Sequence, residues 1–348
     1  MGHVNFLPNC RTTAMGILPH TDIERALNLS LSLDIPFWPQ LPKVSFFEDM
    51  YVQALDHFPG VRINPGEQKI LFDLSRFEEE LPAYFEKIDD PETFKVTNAF
   101  SLVYHRFLEK NLSDYLAIRG QMISPISLGL KIVDQDQKPI IYHEGVKEIL
   151  FDFIRRKVNR QVQELTAKNP NAFVWVDDPG LGFIFTAFSG YPEGVAKKDF
   201  DQFLEGLEGP TGVHLCAKPD WDFLLKSKLD LLSFDAFGCG EVVVNYLSFK
   251  SFIDRGGILS WGIVPTYTEL LEHENVDTLS TRLEQLWDHL SERGVDHSRL
   301  LRQSLLAPAT CNLMNPDREK TVEKAYGVLK ELAAAIRMKY GLDEMGDR

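Results

Sequence analysis

An α/β fold of the (β/α)8 TIM-barrel class is the architecture this sequence predicts. Three observations lead there. Short β-rich runs alternate with longer segments of helical period, the rhythm of βα units around a parallel sheet. There are eight such runs, enough to close a ring. Polar residues sit at the ends of nearly all of them, and in a barrel of this class those ends meet at the one face where active sites are built.

The strands are expected near 12–18 (TTAMGIL), 37–41 (FWPQL), 115–123 (YLAIRGQMI), 172–177 (AFVWVD), 212–216 (GVHLC), 229–235 (LDLLSFD), 257–263 (GILSWGI) and 304–309 (SLLAPA). Helical period marks 21–33, 45–57, 144–167, 197–207, 241–254, 275–293 and 317–340. The first helix opens on Thr21, Asp22 and Glu24, and the last on Asp317 and Glu319 after Pro316, acidic and Pro start signals that suit the positive end of a helix dipole. Residues 60–74 read as a hairpin with a Pro-Gly turn and 76–112 add helices, so the second βα connection carries an insertion over 60–112. No internal repeat or Gly/Ser/Pro-rich linker breaks the chain. Residues 1–348 are therefore expected to form a single barrel domain, with 343–348 as a flexible tail.

Composition narrows the function. The 348 residues carry a net charge of -14, which opposes phosphate-backbone binding, so no nucleic-acid partner is expected. The N-terminus, MGHVNFLPNC, has no basic lead, and no run approaches the roughly 20 apolar residues that span a bilayer. Four cysteines, at 10, 216, 239 and 311, lie too far apart for a disulfide framework and fit a reducing compartment. A cytoplasmic protein with no membrane partner is the expectation, and Cys10 has no assignable role.

The strand ends gather His20, Gln40, Gln121, Ser124, Asp177, Asp178, His214, Cys216, Asp235, the stretch Trp261 to Thr266, and Cys311. His214 and Cys216 stand one residue apart in GVHLC, and Cys311 ends SLLAPATC. One imidazole and two thiols make a three-ligand set with an open position, the arrangement of a catalytic zinc. The alternative is that the cysteines are small buried hydrophobes.

The segments MGILPHT at 15–21, VWVDDPGL at 174–181, GVHLC at 212–216 and the terminal strand with Cys311 resemble, in order and spacing, the catalytic C-terminal barrel of cobalamin-independent methionine synthase, which shares a superfamily with uroporphyrinogen decarboxylase. WPQLPK, GLKIVDQDQKPIIY, LDLLSFDAFGCGE and GGILSWGIVPT look closer still to single-barrel, methionine-synthase-like relatives. The resemblance implies zinc held by His214, Cys216 and Cys311. The family's fourth ligand is a Glu after the sixth strand, matched here by Asp235, with Cys239 as a competing candidate. Asp235 is alternatively the cap of the following helix.

By the same resemblance Asp177 receives the substrate amino group, a charge-assisted hydrogen bond, and Asp178 stands where the family has Glu. Either acid is alternatively part of a turn before Pro179. The first loop departs from the family pattern, Ile-Gly-Ser-Phe-Pro-Gln-Thr, because Ile17 replaces the Ser and His20 replaces the Gln. A second family acid has no secure counterpart, although Glu48 and Asp49 lie close to its place. Catalytic roles are thus expected for Asp177 and His20, and substrate contacts for Gly16, Ile17, Gln40, Asp178 and Trp261.

The chemistry implied is alkylation of a thiol. A free thiol has a pKa of about 8.5, and coordination to zinc deprotonates it. Two sulfur ligands favour a sulfur nucleophile, whereas water-activating zinc sites more often use His and carboxylate. Homocysteine is the expected acceptor, giving methionine. Full-length synthases use a further N-terminal barrel to hold a folate donor, for which this chain has no room, so the expected donor is a methyl-corrinoid, methylcobalamin or a corrinoid carrier protein. Phe37, Trp38, Phe234 and Trp261 form either an apolar mouth for that donor or part of the core. The alternatives are a metal-free decarboxylase of the uroporphyrinogen type, with Arg11 and Arg119 meeting substrate carboxylates, transfer to another thiol of the coenzyme M type, and a non-catalytic corrinoid or thiol binder.

Overall fold

A computed structural model describes residues 4–186 and 188–343 of the chain. Its centre is a parallel sheet of seven strands in the order β1-β9-β8-β7-β6-β5-β4. These are β1 (Arg11–Thr12), β4 (Arg119–Ile123), β5 (Phe173–Asp177), β6 (Thr211–Leu215), β7 (Leu231–Phe234), β8 (Ile258–Val264) and β9 (Ser304–Pro308). A separate antiparallel hairpin, β2 (Val61–Asn64) with β3 (Lys69–Phe72), turns at Pro65-Gly66. The hairpin and the helices Leu74–Glu86 and Leu102–Leu108 lie between Gly60 and β4.

The first two expected strands are much reduced, and prolines account for it. Of the expected 12–18 run only Thr12 pairs in a ladder, together with Arg11 just before it. The 37–41 run makes only single bridges, Phe37 to Arg119 and Ile17 to Gln40. Pro39 lies inside the second run, Pro36 and Pro42 flank it and Pro19 follows the first, and none of them supplies an N–H to a ladder. The segment still spans the space between the two sheet edges by separate bonds. Ile35 N donates to Thr12 O (3.0 Å), Gln40 N to Gly16 O (2.7 Å), and Arg119 N to Pro36 O (2.8 Å). The sheet is thus a curled seven-strand half-barrel with an irregular eighth segment along its seam.

Side-chain alternation divides the core in two. Val174, Val176, Val213, Leu232, Leu259 and Leu306 point outward into the large cluster under the helices. Their neighbours Phe173, Trp175, Leu231, Ile258 and Leu305 form a smaller cluster with Phe6, Ile35 and Ala117 on the concave side. That cluster is the floor beneath the strand C-termini.

Most long helices lie where their periodicity puts them, including Ile23–Leu31 capped by Asp22, Glu144–Thr166, Glu193–Glu205, Val276–Glu292 and Lys320–Tyr340. The expected 241–254 helix divides into Ala236–Val243 and Ser248–Asp254, and short helices such as Pro125–Lys131 and Trp221–Lys226 had too few turns to show a period. Among the described residues, no helix is long and apolar enough to cross a membrane. Residues 344–348 of the expected tail lie outside the described residues.

Candidate active site

β5 and β6 set the site's geometry through their register. Asp177 pairs with His214 across the ladder, and Asp178 N donates to His214 O (3.0 Å). Alternation then puts Trp175 and Asp177 from β5, and Gly212 and His214 from β6, on the concave face. Cys216 follows two residues after His214, on the same face.

His214 is buried, and burial followed by the charge of Arg119 brings its pKa down to about 3, so the ring is neutral at ordinary pH. Its Nδ1 lies 2.9 Å from Ser233 Oγ on β7. Its Nε2 is buried with no partner. One ring face stacks on Trp175, with centroids 6.0 Å apart and planes 15° from parallel. Arg119, wholly buried, places its guanidinium carbon 4.0 Å from the Trp175 ring centroid and donates to Ala14 O, Gly120 O and Gln121 Oε1.

The two acids share one buried corner. Burial pushes the Asp177 carboxyl up to about 7 against the pull of Arg119, with Asp178 raising it further. Asp178 is also pushed to about 7 by burial, although it accepts from Ser127 Oγ (2.5 Å). Ser127 Oγ in turn accepts from Gly180 N (2.7 Å), while Asp178 Oδ2 is buried and unpartnered. Burial therefore favours the protonated form of both acids far more than in an ordinary carboxyl.

Cys216 and Cys311 sense one another. Burial is the largest cause lifting the Cys311 thiol to about 12, followed by the charges of Cys216 and Asp177. Cys216 is raised by burial, then by Asp177 and Asp235. Cys216 is exposed. Beside Cys311 lies a cavity of only about 10 Å³, bounded by Ile17, Thr266, Asn312 and Tyr326 among others.

An orphaned, neutral imidazole nitrogen and two thiols in mutual electrostatic reach fit zinc in donor type. They are not drawn together as a formed centre: among the described residues no three His, Cys, Asp or Glu side chains stand close enough to hold a metal ion. Asp235 caps the helix Ala236–Val243, accepting from Gly238 N (2.7 Å), as the alternative reading of its strand-end position required. Cys239, one turn on, turns its thiol to Asp235 O (2.8 Å).

No protein-family model matches the chain, and its sequence matches no curated protein. Among solved structures, a methyltransferase from Methanosarcina mazei is similar, with a TM-score of 0.52 and 15% sequence identity over 97% of this chain and 95% of that one. At that identity the likeness is one of fold.

Other residues singled out in the sequence lie away from the thiols. Trp261 is fully buried outside the sheet against Phe234, Phe249 and Trp287, and its Nε1 donates to Ser304 Oγ (2.9 Å). The structure therefore gives it a packing place, because its neighbours Ser260 and Gly262 take the concave side. Trp38 likewise packs outward on Tyr104, whereas Phe37 lies 5.2 Å from the Arg119 guanidinium. Gln40 donates to Gln53 Oε1 (2.8 Å), which continues to Glu48 through Gln53 Nε2 (3.0 Å). Glu48 itself accepts from Ser101 Oγ and Val103 N, and Asp49 caps the helix Met50–Ala54, so both candidates for the second family acid are engaged in structure. His20 is buried with Nε2 on Glu323 Oε1 (3.1 Å), and Arg25 grips the same carboxylate. Gly16 is required by close approach, since a Cβ there would come within 2.4 Å of the Gln121 amide. Ile17 is half-buried beside it.

Sequence reasoning missed Tyr51, Ser127, Trp175 and Ser233. The Tyr51 hydroxyl is raised to about 12 by burial and then by the charges of Asp49, Asp178, Asp177 and Cys216. It comes from a short helix inside the second connection, where no strand-end rule reaches. Ser233 alternates with Leu232 and Phe234 on β7, and that period-two pattern was a usable signal.

Proposed function

We propose that the chain is a (β/α)8 barrel, closed along its seam by residues 35–40, that moves a methyl group from a methyl-corrinoid to a thiol, most simply homocysteine to give methionine. His214, Cys216 and Cys311 would hold zinc, with Asp235 or Cys239 as a fourth ligand. The ion, when bound, supplies a deprotonated and still nucleophilic thiol. Asp177 accepts the substrate ammonium, and a cation arriving there draws its proton off, since the group is poised near neutrality. Asp178, held by Ser127, backs it. The His20–Glu323 pair ties the first loop to the last helix and keeps that wall of the bowl in place.

The observation that supports this reading is the unpartnered Nε2 of buried His214 beside its ladder partner Asp177, with Cys216 two residues further on and Cys311 within reach of the charges of Cys216 and Asp177. The name of the similar solved structure, a methyltransferase, agrees with it. The decarboxylase reading loses support, because Arg119 is committed to carbonyls in the barrel floor and Arg11 donates to Leu7 O at the opposite end of the strands.

Metal analysis and X-ray absorption of the purified chain, with and without homocysteine, test the proposal. One zinc per chain, a new sulfur neighbour on adding homocysteine, and turnover with methylcobalamin are expected, with zinc and turnover lost in Cys216→Ser and Cys311→Ser. A chain that takes up no zinc, or variants that keep it together with full turnover, would sink the assignment.

A further inference from the structure

Four side chains on neighbouring strands form a row across the concave face: Arg119 on β4, Trp175 on β5, His214 on β6 and Ser233 on β7. The guanidinium lies on the indole, the indole is stacked on the imidazole, and the imidazole Nδ1 meets the hydroxyl. Gly212 makes the row possible, because a Cβ at that position would come within 2.4 Å of Trp175 Cδ1. The imidazole is thereby fixed on one face and at one nitrogen. Nε2 is its single unengaged polar atom.

We infer that Ser233 and Trp175 are positioning residues that hold His214 as the Nδ1–H tautomer, with a bare Nε2 lone pair offered to the bowl. The tautomer follows from the cost of burial. A buried N–H without an acceptor is rarer in proteins than a buried acceptor left short of a donor, so the proton belongs on the nitrogen that has a partner, Nδ1 beside Ser233 Oγ. The opposite tautomer would bury an Nε2–H with nothing to receive it. Arg119 acts through Trp175: its guanidinium, held by two backbone carbonyls and Gln121, backs the indole and keeps the ring plane from tilting. A metal-binding imidazole is normally oriented by the hydrogen bond its other nitrogen makes, and loss of such a partner weakens metal binding by about 10- to 100-fold. This purpose for the row rests on the zinc reading above, whereas the tautomer itself does not.

The test uses the full chain. In metal-free protein at pH 7, nitrogen NMR of the imidazoles should show His214 protonated at Nδ1 and bare at Nε2. Ser233→Ala should release it to a mixture of tautomers and lower zinc affinity, measured by chelator competition, by about 10- to 100-fold. Ser233→Thr, which restores a hydroxyl, should recover both. Trp175→Phe, which removes the indole but keeps an aromatic ring, should lower zinc affinity while leaving the tautomer in place. A wild-type proton on Nε2, or an unchanged tautomer and zinc affinity in Ser233→Ala, overturns the inference. A wild-type chain that binds no zinc yet shows the Ser233-dependent tautomer overturns the zinc reading alone and leaves the positioning standing.

Discussion

Replacing Asp177 by Asn should make the protein more stable than wild type as pH rises, and by an amount the structure sets. Burial lifts the folded-state pKa of Asp177 from 3.8 to about 7. An acid whose folded pKa lies above its unfolded value holds a proton in the native state that the unfolded chain gives up. Its stabilising contribution is therefore complete below about pH 4 and is lost as pH climbs through 7. With 1.36 kcal/mol per pKa unit, the loss is about 2 kcal/mol by pH 5 and about 4 kcal/mol by pH 8, a difference of about 2 to 3 kcal/mol. His214 slopes the other way: its folded pKa lies near 3, below its ordinary 6.5, so its contribution grows as pH rises toward 6.5. The wild-type curve alone would blur the two, but the difference between Asp177→Asn and wild type removes His214. Urea unfolding of chelator-treated protein at pH 5 and pH 8 should show the variant gaining about 2 to 3 kcal/mol on wild type between those values. A difference that does not change with pH, or that moves toward wild type, would mean the carboxylate is ionised and stabilised in the fold, and the ammonium-receiving role would lose its basis.

Two further outcomes follow from groups outside the bowl. Lys157 is buried, its Nζ donates to Lys95 O (2.9 Å), and burial lowers its pKa to about 8; a base depressed in this way costs stability below pH 8, and relative to Lys157→Met the wild type should gain about 3 kcal/mol between pH 7 and 10.5 in denaturant unfolding. Trp261→Phe removes the bond to Ser304 Oγ and should lower stability by about 1 to 2 kcal/mol while leaving zinc content and turnover at wild-type levels, which assays of both properties on one preparation would show.

How far the sequence could be read depended on whether a signal was local. The strands β4 to β9 and the long helices announce themselves by period and by flanking Gly, Pro and acidic residues, and the structure has them within a few residues of those signals. The first two runs carry the same apolar composition, but the segment that would pair with the first, 37–41, contains Pro39 between Pro36 and Pro42, and ladder pairing depends on N–H groups that a hydrophobicity pattern does not count. Strand-end polarity singled out His214, Cys216, Asp177 and Cys311 as candidates for the same local reason. It could not find Tyr51, which feels the charges of Asp177, Asp178 and Cys216 from a helix in a connection of more than seventy residues between Gln40 and Arg119.

Trp261 and Ser233 show where the reading turned on a single step of alternation. Each lies in a strand whose end was read as facing the bowl, but adjacent residues face opposite sides, so the choice between core and site is decided by parity rather than by residue type. Ser260 and Trp261 are neighbours on β8, and Ser233 pairs with Ser260 across the ladder. The stack on Trp175 places His214 inward, its contact with Ser233 puts that hydroxyl on the same side, and Ser260 must then face inward and Trp261 outward. One hydrogen bond between two strands thus fixes the facing of three, and it assigns the aromatic residue to the helices and the small hydroxyls to the ring that would offer itself to a metal.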